Sequence, residues 1–285
     1  TTWDSTIVSG SGETQVVQIF VDGVISEEAS WNGSFDFNGL LSQLNQAKDD
    51  DAVKAIVLRV NSPGGAVVPT DELHQKIMQI RNETHKPVVV SMGSYAASGG
   101  YYISTAADKI YANPSTLTGS LGVIASYLNY GDLAAKYGVK ENVIKSGKFK
   151  DIGSPMRPMT EDEHAILQTM INESYQQFVD VIAEGRKMPR DKVVKLADGR
   201  VYTGKQAKQA GLIDEFGTLE DATNEAMKLA NVEDATVIRY EEPLSFGSFL
   251  PFMSSAIKQY VPSQPLPDFL REEKRTPSLE YIYRP

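Results

Sequence analysis

Short β-branched runs alternate with segments of helical period along this chain, and that alternation constrains its fold most. Gln15-Val-Val-Gln-Ile-Phe-Val21 reads as a strand. Residues 38–48 carry Leu40, Leu41 and Leu44 at helical spacing. Lys54-Ala-Ile-Val-Leu-Arg-Val60 is a second strand, apolar on both faces as parallel-sheet strands are. Residues 71–81 form a helix with Leu73, Ile77 and Ile80 on one side, followed by a third strand at 87–91. A short helix over 98–107 and a strand over 109–112 come next, the latter stopped by Asn113-Pro114. This order predicts an α/β domain with a mainly parallel sheet.

Further along, Thr160-Glu-Asp-Glu163 has the form of a capping box and opens the longest helix, 160–186. Helices over 203–210 and 218–230 and a strand over 236–240 complete the domain, which we bound at 13–242. Residues 1–12, rich in Ser, Thr and Gly, read as a loose leader. The tail, 243–285, holds seven of the chain's 14 prolines and reads as irregular, with one short helix over 254–260. Its Phe246, Phe249, Phe252, Tyr260, Phe269, Tyr281 and Tyr283 are apolar anchors that have to dock on something.

Composition removes several kinds of chemistry. The chain has no cysteine, which excludes disulfides, thiolate metal sites and a cysteine nucleophile. A net charge of −9 argues against nucleic acid as a partner. No run of about 18 apolar residues is present to span a bilayer. Asp49-Asp-Asp51 lacks the spacing of a calcium loop and reads as a solvated turn.

Gly93-Ser-Tyr-Ala-Ala-Ser-Gly-Gly-Tyr-Tyr102 joins a strand to a helix. Tiny residues on both sides of Ser98 let a sharp turn hold its hydroxyl outward, with the Gly99 and Gly100 amides at the helix start. The competing reading makes Ser98 an ordinary N-cap. Asn61-Ser-Pro-Gly-Gly65 is a second turn after a strand; Gly65 with Gly99 supplies two amides suited to an oxyanion, against a plain strand-to-helix turn. A serine nucleophile needs a base. His74, His85 and His164 each sit in a setting typical of surface residues. The alternative is a lysine from the cluster Lys145, Lys148 and Lys150, made neutral by an apolar pocket, with Ser120 as a hydroxyl to orient the amine. Against that stands a solvated basic loop.

Taken in order, Asn61-Ser-Pro-Gly-Gly65, Ser94-Tyr-Ala-Ala-Ser-Gly-Gly-Tyr-Tyr102, Thr118-Gly-Ser-Leu-Gly-Val-Ile124, Gly147-Lys-Phe-Lys-Asp-Ile-Gly-Ser-Pro155 and Gly211-Leu-Ile-Asp-Glu215 resemble the signal peptide peptidase A family, bacterial Ser–Lys proteases, in its half-length form. The resemblance spans about 15–238. It implies a Clp-protease/crotonase-like fold of repeated ββα units with a mainly parallel sheet. It matches Ser98 to the nucleophile, Lys150 to the general base, and Ser120 to the hydroxyl that orients the lysine. Gly65 and Gly99 match the oxyanion hole, and Leu121, Gly122 and Val123 flank an extended substrate. It implies an endopeptidase with no metal or cofactor, acting on remnant signal peptides and other small or unfolded polypeptides. A half-length chain is expected to form an octameric ring, Ser98 of one protomer facing Lys150 of its neighbour. The family is anchored by an N-terminal transmembrane helix with the protease on the extracytoplasmic face, so a chain starting at Thr1 reads as beginning after that anchor.

Two other readings share the fold. Coenzyme A thioester chemistry uses the same glycine turns but would normally need a carboxylate there, and neither turn holds a Glu. A peptide-binding ring without turnover needs no Ser–Lys pair. For the tail, we expect docking along the ring, its end entering an active-site groove as a regulator or self-substrate.

Overall fold

The computed structural model describes residues 2–27, 35–242 and 280–282. Strands β2 (Gln15–Asp22), β3 (Val53–Ser62), β5 (Val88–Ala97), β6 (Lys109–Ala112) and β9 (Glu215–Phe216) run parallel and adjacent in that order. Strand β10 (Thr236–Glu241) adds in parallel beside β2. Strand β7 (Leu117–Gly119) pairs in parallel with the end of β5 and antiparallel with β8 (Val201–Thr203). The predicted parallel α/β class is therefore the observed one.

Period-two alternation distributes each strand between two cores. Val17, Ile19, Ile56, Leu58, Val88 and Val90 point to the larger core, shared with Leu40 and Leu44 of α1 (Phe37–Asp49) and Leu73, Ile77 and Ile80 of α2 (Val67–Thr84). Val16, Ala55, Val57 and Val89 face the other way, onto Ala222 and Ala226 of α8 (Leu219–Leu229). Burial on both faces is why these strands read as unbroken apolar runs.

Helix α3 (Gly99–Ser104) is shorter than the sequence suggests, and its tyrosines are fully buried. Helix α5 (Glu161–Gly185) starts at the expected capping box, with Thr160 and Glu163 bonding each other's backbone. Helices α4 (Gly131–Lys136) and α6 (Arg190–Leu196) and the short strands β4 (Gly64–Ala66), β7, β8 and β9 carry too few periodic residues to stand out in the sequence. Helix α7 (Gly204–Ala210) is also capped by a box, from Thr203 and Gln206.

Two expectations need correction. The leader is not loose over 4–9: β1 (Asp4–Ser9) is an edge strand antiparallel to β10, although all six residues are exposed. It is held by main-chain pairing, which needs no apolar face, so hydropathy does not reveal it. In the tail, residues 280–282 form strand β11, paired antiparallel with β4. The helix expected over 254–260 lies outside the described residues.

The end of α5 is tied to the sheet by a largely buried ion pair. Arg186 donates to both oxygens of Asp214 at 2.9 and 3.0 Å, and Asp214 also accepts from the Ile110 amide at 2.8 Å. Removing one partner leaves the other charge buried and uncompensated. Asp214→Ala should lower the unfolding free energy in urea by about 3 kcal/mol; a loss too small to resolve would show that solvent screens Arg186.

Candidate active site

Strand β5 ends at Ala97 and helix α3 begins at Gly99, so the whole reversal falls on Ser98. Its backbone sits at φ 52°, ψ −114°, a region that side-chain-bearing residues rarely occupy. Such strain costs on the order of 1–3 kcal/mol and persists only where neighbours over-determine it. Here the Ser98 amide donates to the Gly119 carbonyl at 2.7 Å, and the Tyr102 amide donates to the Ser98 carbonyl at 2.8 Å. The small neighbours are required by contact. A Cβ on Gly100 would stand 2.7 Å from the Ser62 carbonyl oxygen, and one on Gly99 would stand 2.9 Å from Thr70 Oγ1.

Ser98 occupies the N-cap position of α3, but its hydroxyl makes no capping bond to the helix. It is 1% exposed, and its Oγ has no hydrogen-bond partner among the described residues. A buried hydroxyl without a partner is costly, and this one sits in a strained turn.

Ser120 lies in the adjoining turn, at φ 51° after Gly119 at φ 78°. Its amide donates to the Arg200 carbonyl at 2.8 Å. Because Gly119 accepts the Ser98 amide, the two left-handed turns close on each other. A side chain at Gly119 has no room, since a Cβ would stand 2.4 Å from the Tyr202 ring.

The glycine turn at 61–65 forms the opposite wall. Gly64 takes φ +103°, and its amide donates to Ser62 Oγ at 3.1 Å. Ile25 braces the turn, donating to the Gly64 carbonyl and accepting from the Ala66 amide, both at 2.9 Å. Gly65 approaches it so closely that a Cβ would stand 1.9 Å from the Ile25 carbonyl oxygen.

Strand β11 (Glu280–Ile282) lies in the cleft between these walls. Tyr281 sits opposite Gly65 in the antiparallel register, and Glu280 exchanges two 3.0 Å hydrogen bonds with Ile124. A single methyl on Gly64 would stand 1.9 Å from the Tyr281 carbonyl oxygen and 2.6 Å from the Gly99 nitrogen. The carbonyl of an extended segment thus shares one small space with a predicted oxyanion donor. The Tyr281 side chain is fully buried, its ring 5.1 Å from Tyr102 and 4.7 Å from Phe178. Its hydroxyl donates to the Ser174 carbonyl at 2.9 Å.

Of the residues expected to flank a substrate, Gly122 and Val123 are half-buried and Leu121 is fully buried in the core. The pairing with β11 is made by the next residue, Ile124. Sequence reasoning did not assign Ile124, Gly64, Tyr102, Phe178 or Ser174. Tyr102 and Gly64 stood inside the quoted motifs, whereas Ser174 and Phe178 come from α5 and carry no local signal.

The lysines fall elsewhere. Lys150 is exposed and makes no ion pair among the described residues. Lys145 is committed to Asp151 at 2.5 Å, and Lys148 to Asp162 at 2.5 Å. The segment is pinned by Arg157, which bridges Asp151 and the buried Glu163. The Arg157 guanidinium, followed by the Thr160 amide, holds the Glu163 carboxyl down to about 2; Arg157 and Lys145 likewise hold Asp151 below the usual range. As Ser98 Oγ has no partner, Lys150 and Ser98 do not meet within one chain's described residues. No histidine reaches Ser98 either. His164 is exposed, His85 caps α2, and burial pushes His74, packed against Tyr102, down to about 4.

A strained serine at a strand-to-helix joint, in a parallel α/β domain, places the molecule in the Clp protease-like class; a Clp protease family model matches residues 18–118. The chain belongs to peptidase family S49, whose model matches residues 80–233. It is 39% identical to the "Putative signal peptide peptidase SppA" of Enterococcus faecium, over 84% of this chain and 70% of that one. It is 35% identical to Protease 4 of Salmonella typhi over 87% of this chain, and 36% identical to the chloroplastic serine protease SPPA of Arabidopsis thaliana over 78%. It spans 40% and 33% of those two longer proteins.

If the Gly119 carbonyl sets the Ser98 turn, Gly119→Ala should displace Tyr202 and slow labelling of Ser98 by a fluorophosphonate about tenfold or more. Labelling at the wild-type rate, with the melting temperature retained, would show that the Ser98 geometry does not depend on a glycine at position 119.

Proposed function

We propose that this S49 peptidase is a serine endopeptidase whose active site is completed by a neighbouring copy, with Ser98 as nucleophile and the neighbour's Lys150 as general base. The observation that carries the reading is the pair of mismatched halves. Ser98 is strained, buried and unpartnered, while Lys150 is exposed and, among the described residues, free of an ion pair.

In this reaction an extended polypeptide replaces β11 between β4 and Ile124. Main-chain pairing of that kind accepts varied sequences. Ser98 Oγ attacks the carbonyl that lies where the Tyr281 carbonyl lies now, and its proton passes to the neighbour's Lys150 amine. The Gly65 and Gly99 amides stabilise the oxyanion. The tetrahedral adduct collapses, breaking the peptide C–N bond, and the leaving nitrogen takes the proton from Lys150. Water then hydrolyses the Ser98 ester by the same route. Ser120 orients the lysine amine. The reaction needs no metal or cofactor.

Assembly into a ring, which we take to be an octamer, is supported by the family resemblance and by the surface of the segment that precedes Lys150 in the chain. Leu128, Leu133, Tyr137, Val139, Val143 and Ile144 are all exposed there, an apolar area that a lone chain would leave in water. The pairing of β11 with the cleft supports a regulatory role for the tail, or its processing by the enzyme itself. Remnant signal peptides at the extracytoplasmic face of the membrane are the proposed substrates. That step rests on the resemblance and on the Enterococcus faecium relative's printed name. Among the described residues no helix is long and apolar enough to cross a membrane.

The test is hydrolysis of an unfolded protein by Ser98→Ala, by Lys150→Ala, and by the two co-refolded at equal concentrations. Each variant alone should lose about 10³-fold or more in kcat. Mixed rings should regain a substantial fraction of wild-type activity, because some interfaces join an intact Ser98 to an intact Lys150. Activity retained by Lys150→Ala, or no recovery on mixing, would contradict the shared site.

A further inference from the structure

Three helices meet around the Tyr281 side chain, and a polar cluster ties them together. The Tyr102 hydroxyl of α3 donates to Asp71 Oδ1 of α2 at 2.6 Å. Gln177 Nε2 of α5 donates to the same carboxylate oxygen at 2.9 Å and to the Tyr102 hydroxyl at 3.2 Å. The other Asp71 oxygen accepts from Gln75 on its own helix, which fixes the carboxylate's rotamer. Asp71 is the common acceptor of this cluster, and none of its members touches Ser98 Oγ.

The cluster sets the angle of one ring. Tyr102 stacks on Tyr281 at an interplanar angle of 22°, while the edge of His74 and the tilted face of Phe178 press on it at 5.2 and 5.1 Å. Burial, then the Asp71 hydrogen bond, pushes the Tyr102 phenol well above its ordinary pKa, so it stays a donor. The Tyr102 amide is bonded to the Ser98 carbonyl, so the ring and the nucleophile share one turn of helix.

We propose that Asp71 is a positioning residue: by holding Tyr102 flat between α2 and α5 it shapes a slot that selects an aromatic side chain at the residue whose carbonyl is attacked. This rests on the proposed reading of the cleft as a protease site. The chemistry is asymmetric. Without Asp71 the Tyr102 hydroxyl faces only the Gln177 amide, itself a donor, so two donors lose their shared acceptor. The ring then turns toward another acceptor and the slot loses its flat wall. Stacking is worth about three- to tenfold in affinity for a well-placed ring pair, and an aliphatic side chain gains none of it.

The test compares fluorogenic peptides built on Ser-Leu-Glu-Tyr and Ser-Leu-Glu-Leu, the first copying residues 278–281, with full-length wild type, Asp71→Ala, Asp71→Asn and Tyr102→Phe. The readout is the Tyr-to-Leu ratio of kcat/KM. Asp71→Ala and Tyr102→Phe should lower that ratio about fivefold, mainly through KM for the Tyr peptide. Asp71→Asn keeps an acceptor oxygen and should hold the ratio within about twofold of wild type. A ratio unchanged in Asp71→Ala and Tyr102→Phe, with both peptides slowed alike, would overturn the proposal and leave the cluster a structural brace.

A second arm needs no turnover. Labelled peptides ending in the same Tyr or Leu are titrated into Ser98→Ala and into its Asp71→Ala double variant. The chain's own tail competes equally with both peptides and cancels in the ratio of Kd values. If wild type cuts neither peptide, the protease reading fails, yet a lowered Tyr-to-Leu binding ratio in the double variant still supports the clamp and an unchanged one overturns it.

Discussion

The 2.7 Å hydrogen bond from the Ser98 amide to the Gly119 carbonyl joins two turns that would be unstable apart. Each serine, 98 and 120, adopts a left-handed backbone with little intrinsic support. The parallel sheet supplies the support. Strand β5 delivers Ser98, β7 delivers Gly119, and the β5–β7 pairing sets their register, with Ala97 opposite Gly119. Thr118 Oγ1 donates to the Ala96 carbonyl at 2.6 Å and locks that register from the side. Backbone strain at the site is thus borne by the regular pairing of the sheet, a rigid scaffold for a group that must not move.

The second constraint is main-chain pairing across a cleft. Gly64 and Gly65 let a backbone come close on one wall, and Ile124 supplies two hydrogen bonds on the other. A segment held this way is recognised by being extended, and its side chains add selection at only a few positions. In one chain the cleft holds residues 280–282 while Ser98 Oγ lacks a partner. On the proposed division of the dyad between copies, an isolated chain would carry a nucleophile with no base, and hydrolysis would begin only on assembly.

Much of the fold was legible because buried parallel strands and capped amphipathic helices write themselves into local patterns. The runs at 15–21 and 54–60 became β2 and β3, and Thr160-Glu-Asp-Glu163 became a capping box. The Ser98 turn was also legible, since only tiny residues fit around it. What escaped notice depends on long-range pairing. Strand β1 is exposed along its length and exists through β10, more than 200 residues away. The pocket around Tyr281 draws on α2, α3 and α5, and no window of sequence contains all three. Tail aromatics signalled docking in general, but the one that fills the slot was fixed by register against Gly65.

If the cleft presents the carbonyl of its occupant to Ser98, the chain's own tail is the first substrate in which this can be seen. Intact-mass spectrometry of the purified assembly over time reads it without any added substrate. Scission between Tyr281 and Ile282 is expected in wild type, leaving a chain that ends in Tyr281, while Ser98→Ala keeps its full mass. Cleavage at another bond in preference to this one, or identical cleavage in Ser98→Ala, would contradict it.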